Sequence, residues 1–253
     1  MKNDQIFNLI QQLRLAAALL TRLPLPHLPE TAFLKSHRAT WAYPVVGAGL
    51  GVAASVLGMC LMYAGLPTGV VAGVIIAAMT ITTGAMHEDG LADTVDGFWG
   101  GWTPAQRLEI MKDSHIGTYG VLALIMAIGL KWWLYVSILG SGFTPLILAA
   151  LISRAAMPAV MRSLPHARQT GLSHSVGRPD KNGVWIAAAL GFGAALTCAG
   201  NGGISAFALA MMVSFGVAHI ARRKIGGQTG DVIGTVQILT ELAVLAVFAA
   251  NLA

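Results

Sequence analysis

Seven apolar stretches, each near the roughly 20 residues that a helix needs to cross about 30 Å of hydrocarbon, constrain this chain more than anything else in it. They fall at about Trp41–Tyr63, Gly69–Met86, Tyr119–Leu139, Pro145–Met161, Val184–Gly200, Ser205–Ile220 and Val232–Asn251. Only 11% of the 253 residues are charged against 55% hydrophobic, whereas a soluble protein carries about a quarter charged. An ordinary soluble domain is excluded, and a transmembrane β-barrel, which would show short alternating segments, is disfavoured. The expected fold is all-α: a polytopic integral membrane helical bundle of about seven transmembrane helices, with residues 1–253 forming one domain and no internal repeat.

Ahead of the first span, Ile6, Phe7, Leu9, Ile10, Leu13, Ala16, Ala17 and Leu20 recur at three- and four-residue steps opposite Asn8, Gln11, Gln12 and Arg14, until Pro24 ends the pattern. This predicts an N-terminal amphipathic helix lying in the membrane interface, a soluble helix packed on a neighbour being the other reading. Arg14 and Arg22 interrupt the segment, so it does not read as a cleavable signal. Cys60 and Cys198 each sit inside an apolar block and read as small hydrophobes.

The basic residues set the orientation. Fourteen of the sixteen Lys and Arg fall before the first span or in the connections after spans two, four and six. The opposite connections carry none, which predicts a cytoplasmic N-terminus, cytoplasmic polar loops and a C-terminus outside. The net charge of +5 therefore has a topological explanation, and no nucleic-acid partner is expected. The two exceptions, Lys131 and Arg154, lie inside spans, where a cation needs a partner, a cavity or a route to the interface. Lys131 reads as snorkelling or helix-paired, and Arg154 as pointing into a polar pocket at the cytoplasmic end of span four. Glu241, inside span seven, reads as the partner of another helix.

Of eleven acidic residues, six crowd into the 26 residues from Glu88 to Asp113. Within HEDGLADTVDG, Asp89, Asp93 and Asp96 stand at i, i+4 and i+7, which on a helix puts three carboxylates along one face. Such a stripe needs a cation against it, and oxygen ligands suit Mg²⁺ or Mn²⁺ better than zinc. Glu109 and Asp113 repeat the i, i+4 spacing, so a second helix end could face the first across a metal pair that clamps a transferring phosphoryl group. Two glycine-containing stretches, MKDSHIGTYG and RRKIGGQTGD, could bring backbone N–H groups to phosphate oxygens, with Lys112, His115 and Arg222–Lys224 as cationic neighbours. His87, Asp96 or a metal-bound hydroxyl are the candidate bases.

HEDGLADTVDG at His87–Gly97, MKDSHIGTYG at Met111–Gly120, Ser153–Arg154, GGQTGD at Gly226–Asp231, TRLP at Thr21–Pro24 and YPVVGAGLG at Tyr43–Gly51 together resemble the motif set of the cobalamin synthase family, the adenosylcobinamide-GDP ribazoletransferases. The resemblance implies a Mg²⁺-dependent, multi-pass enzyme of the bacterial inner membrane with its active site facing the cytoplasm. It would join adenosylcobinamide-GDP to α-ribazole or its 5′-phosphate with release of GMP, a late step of vitamin B12 synthesis. The implied metal ligands or base are Asp89, Asp93, Asp96 and Asp113. The implied phosphate-side contacts are Lys112, Ser114, His115, Arg154, Gly227, Gln228, Thr229 and Asp231. His115 departs from the family, where Arg is frequent.

The implied partners are the corrinoid nucleotide, the ribazole and the lipid bilayer. The Gly47–Gly51 spacing permits close helix packing within the chain or in a homo-oligomer. Two other classes share parts of the pattern. A CDP-alcohol phosphotransferase or aromatic-acceptor prenyltransferase would also space its Asp residues this way, although the Ala-Arg usual in the first is here Ala92-Asp93. A divalent-cation transporter would need acids near the bilayer midplane, where only Glu241 stands.

Overall fold

The computed structural model describes the backbone of residues 2–252 and the side chains of residues 8–252. Its helices are α1 (Lys2–Leu20), α2 (Glu30–Phe33), a 3-10 turn (Ser36–Ala42), α3 (Tyr43–Tyr63), α4 (Thr68–Thr83), α5 (Met86–Gly100), α6 (Pro104–Ile110), α7 (Thr118–Leu139), α8 (Thr144–Ser163), α9 (Leu172–Val176), α10 (Lys181–Ile225) and α11 (Gly230–Ala250). Five helical stretches are long and apolar enough to cross a membrane, and α4, shorter than these, reaches that length only when joined to α5, from which it is sharply bent. The chain is a polytopic helical membrane bundle.

Two breaks refine the span pattern. The second span was expected to reach Met86, but α4 ends at Thr83, where Gly84 (φ 67°) and Ala85 (φ 56°) both take left-handed conformations. Gly84 adopts this region without a Cβ penalty, whereas Ala85 does so at a cost. The chain then leaves at 86° to α4. With five charged or ionisable residues in fifteen, α5 is too polar to enter hydrocarbon and lies across the end of the bundle, outside the spanning segments. The second break is at Gly200 (φ 51°, ψ −130°), inside what is nominally a 45-residue helix. The Phe192 and Phe207 rings meet edge to face with centroids 5.5 Å apart, and Gly203 lies against the Ala195 carbonyl, so α10 turns back on itself as two antiparallel limbs. These limbs take the places of the expected fifth and sixth spans.

α8 and α11 form the centre, with 72% and 67% of their apolar windows buried against 28–33% for the windows in α3, α7 and α10. α8 is sandwiched by α3, α10 and α11. A methyl group on Gly51 would lie 2.7 Å from the Ile147 Cα, and Gly47 sits directly on the Ala150 carbonyl, so the Gly47–Gly51 pair is spent on α3–α8 packing within the chain. The C-terminal half of α1 buries Leu15, Ala16 and Leu20 beside the 3-10 turn and α3, with Gln12 Oε1 accepting from the Trp41 indole at 2.7 Å. Leu9 and Ile10 stay about half exposed, so α1 is packed on its neighbours at its C-terminal end and open before it. Ile6 and Phe7 lie outside the described side chains.

Both intramembrane cations are buried. Lys131 Nζ on α7 pairs with Glu241 Oε1 on α11 at 3.0 Å, which makes it helix-paired rather than snorkelling. Gln237 Nε2 bridges Glu241 (2.8 Å) and Ser153 Oγ (3.2 Å), and the Tyr135 hydroxyl reaches Glu241 at 3.4 Å. Each buried polar group in hydrocarbon needs such a partner, and this network ties α7, α8 and α11 together.

Candidate active site

The site is built where α5 crosses the N-terminus of α11. The crossing is close because both helices present glycine: a methyl group on Gly90 would lie 2.8 Å from the Asp231 carbonyl oxygen, and one on Gly234 would lie 3.2 Å from the His87 Cα. Thr235 Oγ1 locks the crossing by donating toward the carbonyls of Gly90 (3.1 Å) and Asp231 (3.0 Å). Asp89 on α5 and Asp231 on α11 are thereby brought to the walls of one cleft.

The third wall is the irregular stretch after α8. Gln228 N donates to the Pro165 carbonyl and Ala167 N to the Gln228 carbonyl, both at 2.9 Å, a short parallel pairing between this stretch and the GGQTGD turn. The buried Gln228 side chain accepts from Ser173 Oγ at 2.6 Å and lies 3.0 Å from His166 Nδ1, which fixes α9 over the cleft. Gly227 abuts the Pro165 carbonyl, leaving no room for a side chain. Thr229 caps α11 by accepting from Val232 N, and its hydroxyl lies 3.1 Å from Asp231 Oδ2. Arg168 then reaches across to Asp231 Oδ2 at 3.1 Å. The resulting cleft, about 150 Å³, has His87, Asp89, His166, Arg168, His174 and Asp231 as its ionisable lining, above a base of Leu20, Met157 and Met161.

Its electrostatics are those of crowded carboxylates. Partial burial, the neighbouring Asp89 and then Asp231 push the Asp93 carboxyl up to about 7, with Arg168 opposing. That crowding is what a bound cation would relieve. Among the described residues no three His, Cys, Asp or Glu side chains stand together as a ready-made metal cage. Three histidines also line the cleft, but its charged donors, Asp89 and Asp231, offer oxygen, which fits Mg²⁺, an ion commonly held by one or two carboxylates plus substrate phosphates.

The sequence-derived candidates separate into four groups. Asp89, Asp231, Gln228 and Thr229 line this cleft, and Asp93, one turn along α5 from Asp89, stands beside it within the field of Asp89, Asp231 and Arg168. His87 lines it too, buried with neither ring nitrogen hydrogen bonded. Asp96 does other work: its Oδ2 accepts from Gly117 N at 2.7 Å and its Oδ1 from Gly120 N at 2.9 Å, so it caps α7 with both oxygens occupied. Lys112 and Asp113 line a separate, shallow cleft with Glu109, and Asp113 is paired with His115 at 2.8 Å, which holds its carboxyl below the usual range. Ser114 is exposed beside them. The expected joint face of Asp89, Asp93, Asp96, Glu109 and Asp113 is thus divided among three sites in this structure. Arg154 is buried on α8 without lining the cleft; its Nη1 donates back to the Ala150 carbonyl. Sequence reasoning passed over Arg168, His166 and His174, which sit in a segment without periodicity, although an HAR triplet and a histidine six residues beyond Arg168 are on view there.

Residues 12–249 match the model of a family described as cobalamin-5-phosphate synthase. An adenosylcobinamide-GDP ribazoletransferase from Bradyrhizobium diazoefficiens is 41% identical over 251 residues, covering 98% of this chain and 96% of that protein. Its counterpart from Brucella anthropi is 42% identical over 242 residues, covering 90% and 92%. Another, from a Sinorhizobium species, is 40% identical over 243 residues, covering 91% and 92%. No solved structure matches.

Proposed function

Because the chain belongs to the cobalamin-5-phosphate synthase family and is a transferase, we propose that it joins adenosylcobinamide-GDP to α-ribazole or α-ribazole 5′-phosphate, giving adenosylcobalamin or its 5′-phosphate and GMP. A ribose hydroxyl attacks the corrinoid-side phosphorus, the bond from that phosphorus to the GMP oxygen breaks, and the hydroxyl proton leaves to a base. The observation that carries this reading is the meeting of Asp89, Asp231 and Arg168 at one cleft, with Asp93 electrostatically coupled to all three, in a chain with such relatives.

Asp89 and Asp231 would hold Mg²⁺, which when bound neutralises charge on the pyrophosphate and the leaving phosphate. Arg168, with Nε buried and unpartnered, presents a planar fork suited to a phosphate oxygen pair. Asp93, held near 7, has the proton affinity a base needs at neutral pH, and we assign it the ribose proton. Asp96, its oxygens committed to α7, positions the helix instead. The distribution of Lys and Arg supports a cleft on the cytoplasmic side of the inner membrane.

The test is GMP release from adenosylcobinamide-GDP by purified protein in detergent, with and without α-ribazole. The expected result is release only with the ribazole present. Release from CDP-alcohol substrates instead, with none from the corrinoid, would contradict the proposal.

A further inference from the structure

The back of α5, away from the carboxylates, forms the base of a second, wholly different cavity. Leu91, Val95 and Phe98 lie along it, with walls from α7, the second limb of α10 and α11. This groove, about 620 Å³, is lined almost entirely by carbon and open at its side, where Met126 is 72% exposed. Its lining runs from Ala123 to Leu130 on α7 and from Thr235 to Leu242 on α11, seven residues along each helix, or about 10 Å at about 1.5 Å per residue. That length covers about two thirds of one leaflet of a bilayer with about 30 Å of hydrocarbon, enough to seat the upper part of an acyl chain.

The mouth of the groove is cationic and aromatic. Val217 and Ile220 line the groove, and Lys224, one turn beyond Ile220 on the same helical face, holds its ammonium 5.3 Å from the ring of Trp99, which also lines it. Lys224 Nζ donates to the Phe98 carbonyl at 2.9 Å, and Arg107 Nη1 donates to the Lys224 carbonyl. Among the described residues neither cation has a carboxylate within ion-pair distance. Arg222 and Arg223 add two more charges in the same turn. Beside the mouth, the Thr94 hydroxyl lines the groove, buried and without a hydrogen-bond partner.

We infer that this groove binds one anionic phospholipid, its acyl chain between α7, α10 and α11, its ester carbonyl accepting from Thr94 and its phosphate at Lys224. The three features fit one molecule: an apolar groove for the upper part of an acyl chain, an unpaired donor at ester level, and basic residues with an interfacial Trp at headgroup level. A bound lipid would brace the helix that carries Asp89 and Asp93 from behind.

The experiment is native mass spectrometry of the full chain in detergent, titrated with phosphatidylglycerol or phosphatidylcholine. The expected result is one phosphatidylglycerol adduct that outlasts phosphatidylcholine, retained roughly fivefold less by Lys224→Gln, the effect of one basic residue at an anionic surface. Ala123→Phe, which fills the groove, should abolish the adduct, and the nearly isosteric Thr94→Val should weaken it even if phenylalanine at 123 disturbs folding. Equal retention of both lipids, undiminished binding by Thr94→Val and Lys224→Gln, or displacement by glycerol phosphate alone would overturn the inference.

Discussion

Asp96 shows how far a helical-face argument reaches. The i, i+4, i+7 spacing correctly puts Asp89, Asp93 and Asp96 on α5, yet the third carboxylate is taken by two backbone N–H groups of α7, which only tertiary packing brings within reach. Asp96→Ala is expected to cost about 1–3 kcal/mol of stability, since it strips a charged cap from Gly117 and Gly120, and thermal unfolding in detergent measures it. An unchanged melting temperature would return Asp96 to the catalytic candidates. Asp93 makes a different prediction. Its folded-state value near 7 lies above the ordinary 3.8, so without metal the folded protein holds a proton that the unfolded chain has released. Stability should therefore fall as pH rises from about 4 through about 7, and Asp93→Asn should flatten that slope in melts recorded in EDTA.

At the scale of elements, the spans were legible because hydrocarbon demands length and apolarity, and the chain supplies both. The reversal at Gly200 sits where the sequence placed the gap between spans five and six, because a single helix through it would be far longer than the membrane is thick. The bend at Gly84–Ala85 was less visible, since nothing in Met86 itself ends a span. The polar network was half legible: a buried Lys and a buried Glu each announced the need for a partner, and the structure pairs them. Glu241→Ala should cost about 3–5 kcal/mol by stranding Lys131, while Lys131→Met combined with Glu241→Leu should melt near the parental protein. If both variants melted alike, the ion pair would not be what joins α7 to α11. Gly203→Val should splay the α10 hairpin, because its side chain would collide with the Ala195 carbonyl; an unchanged melting temperature would contradict that tight turn.

For the whole molecule, the sequence motifs identified the acidic helix and the glycine turn but not the wall between them. Arg168, His166 and His174 join the cleft through the backbone pairing of Gln228 with Pro165 and Ala167, a long-range contact with no local signature. Topology can be checked directly: a reporter at the C-terminus should read periplasmic, and a cytoplasmic reading would mean an even number of crossings. The transfer is expected at the one cleft where α5 crosses α11, with the Asp113 region apart from it. GMP release in the presence of Mg²⁺ and α-ribazole, compared between Asp89→Asn and Asp113→Asn in folded protein, tests this most directly. Asp89→Asn should lose at least roughly a hundredfold, the scale of a lost electrostatic contact in a transition state, and Asp113→Asn should keep near-parental turnover. Equal and severe loss in both would mean that the two acidic sites close onto one metal centre, and the single-cleft account would be wrong.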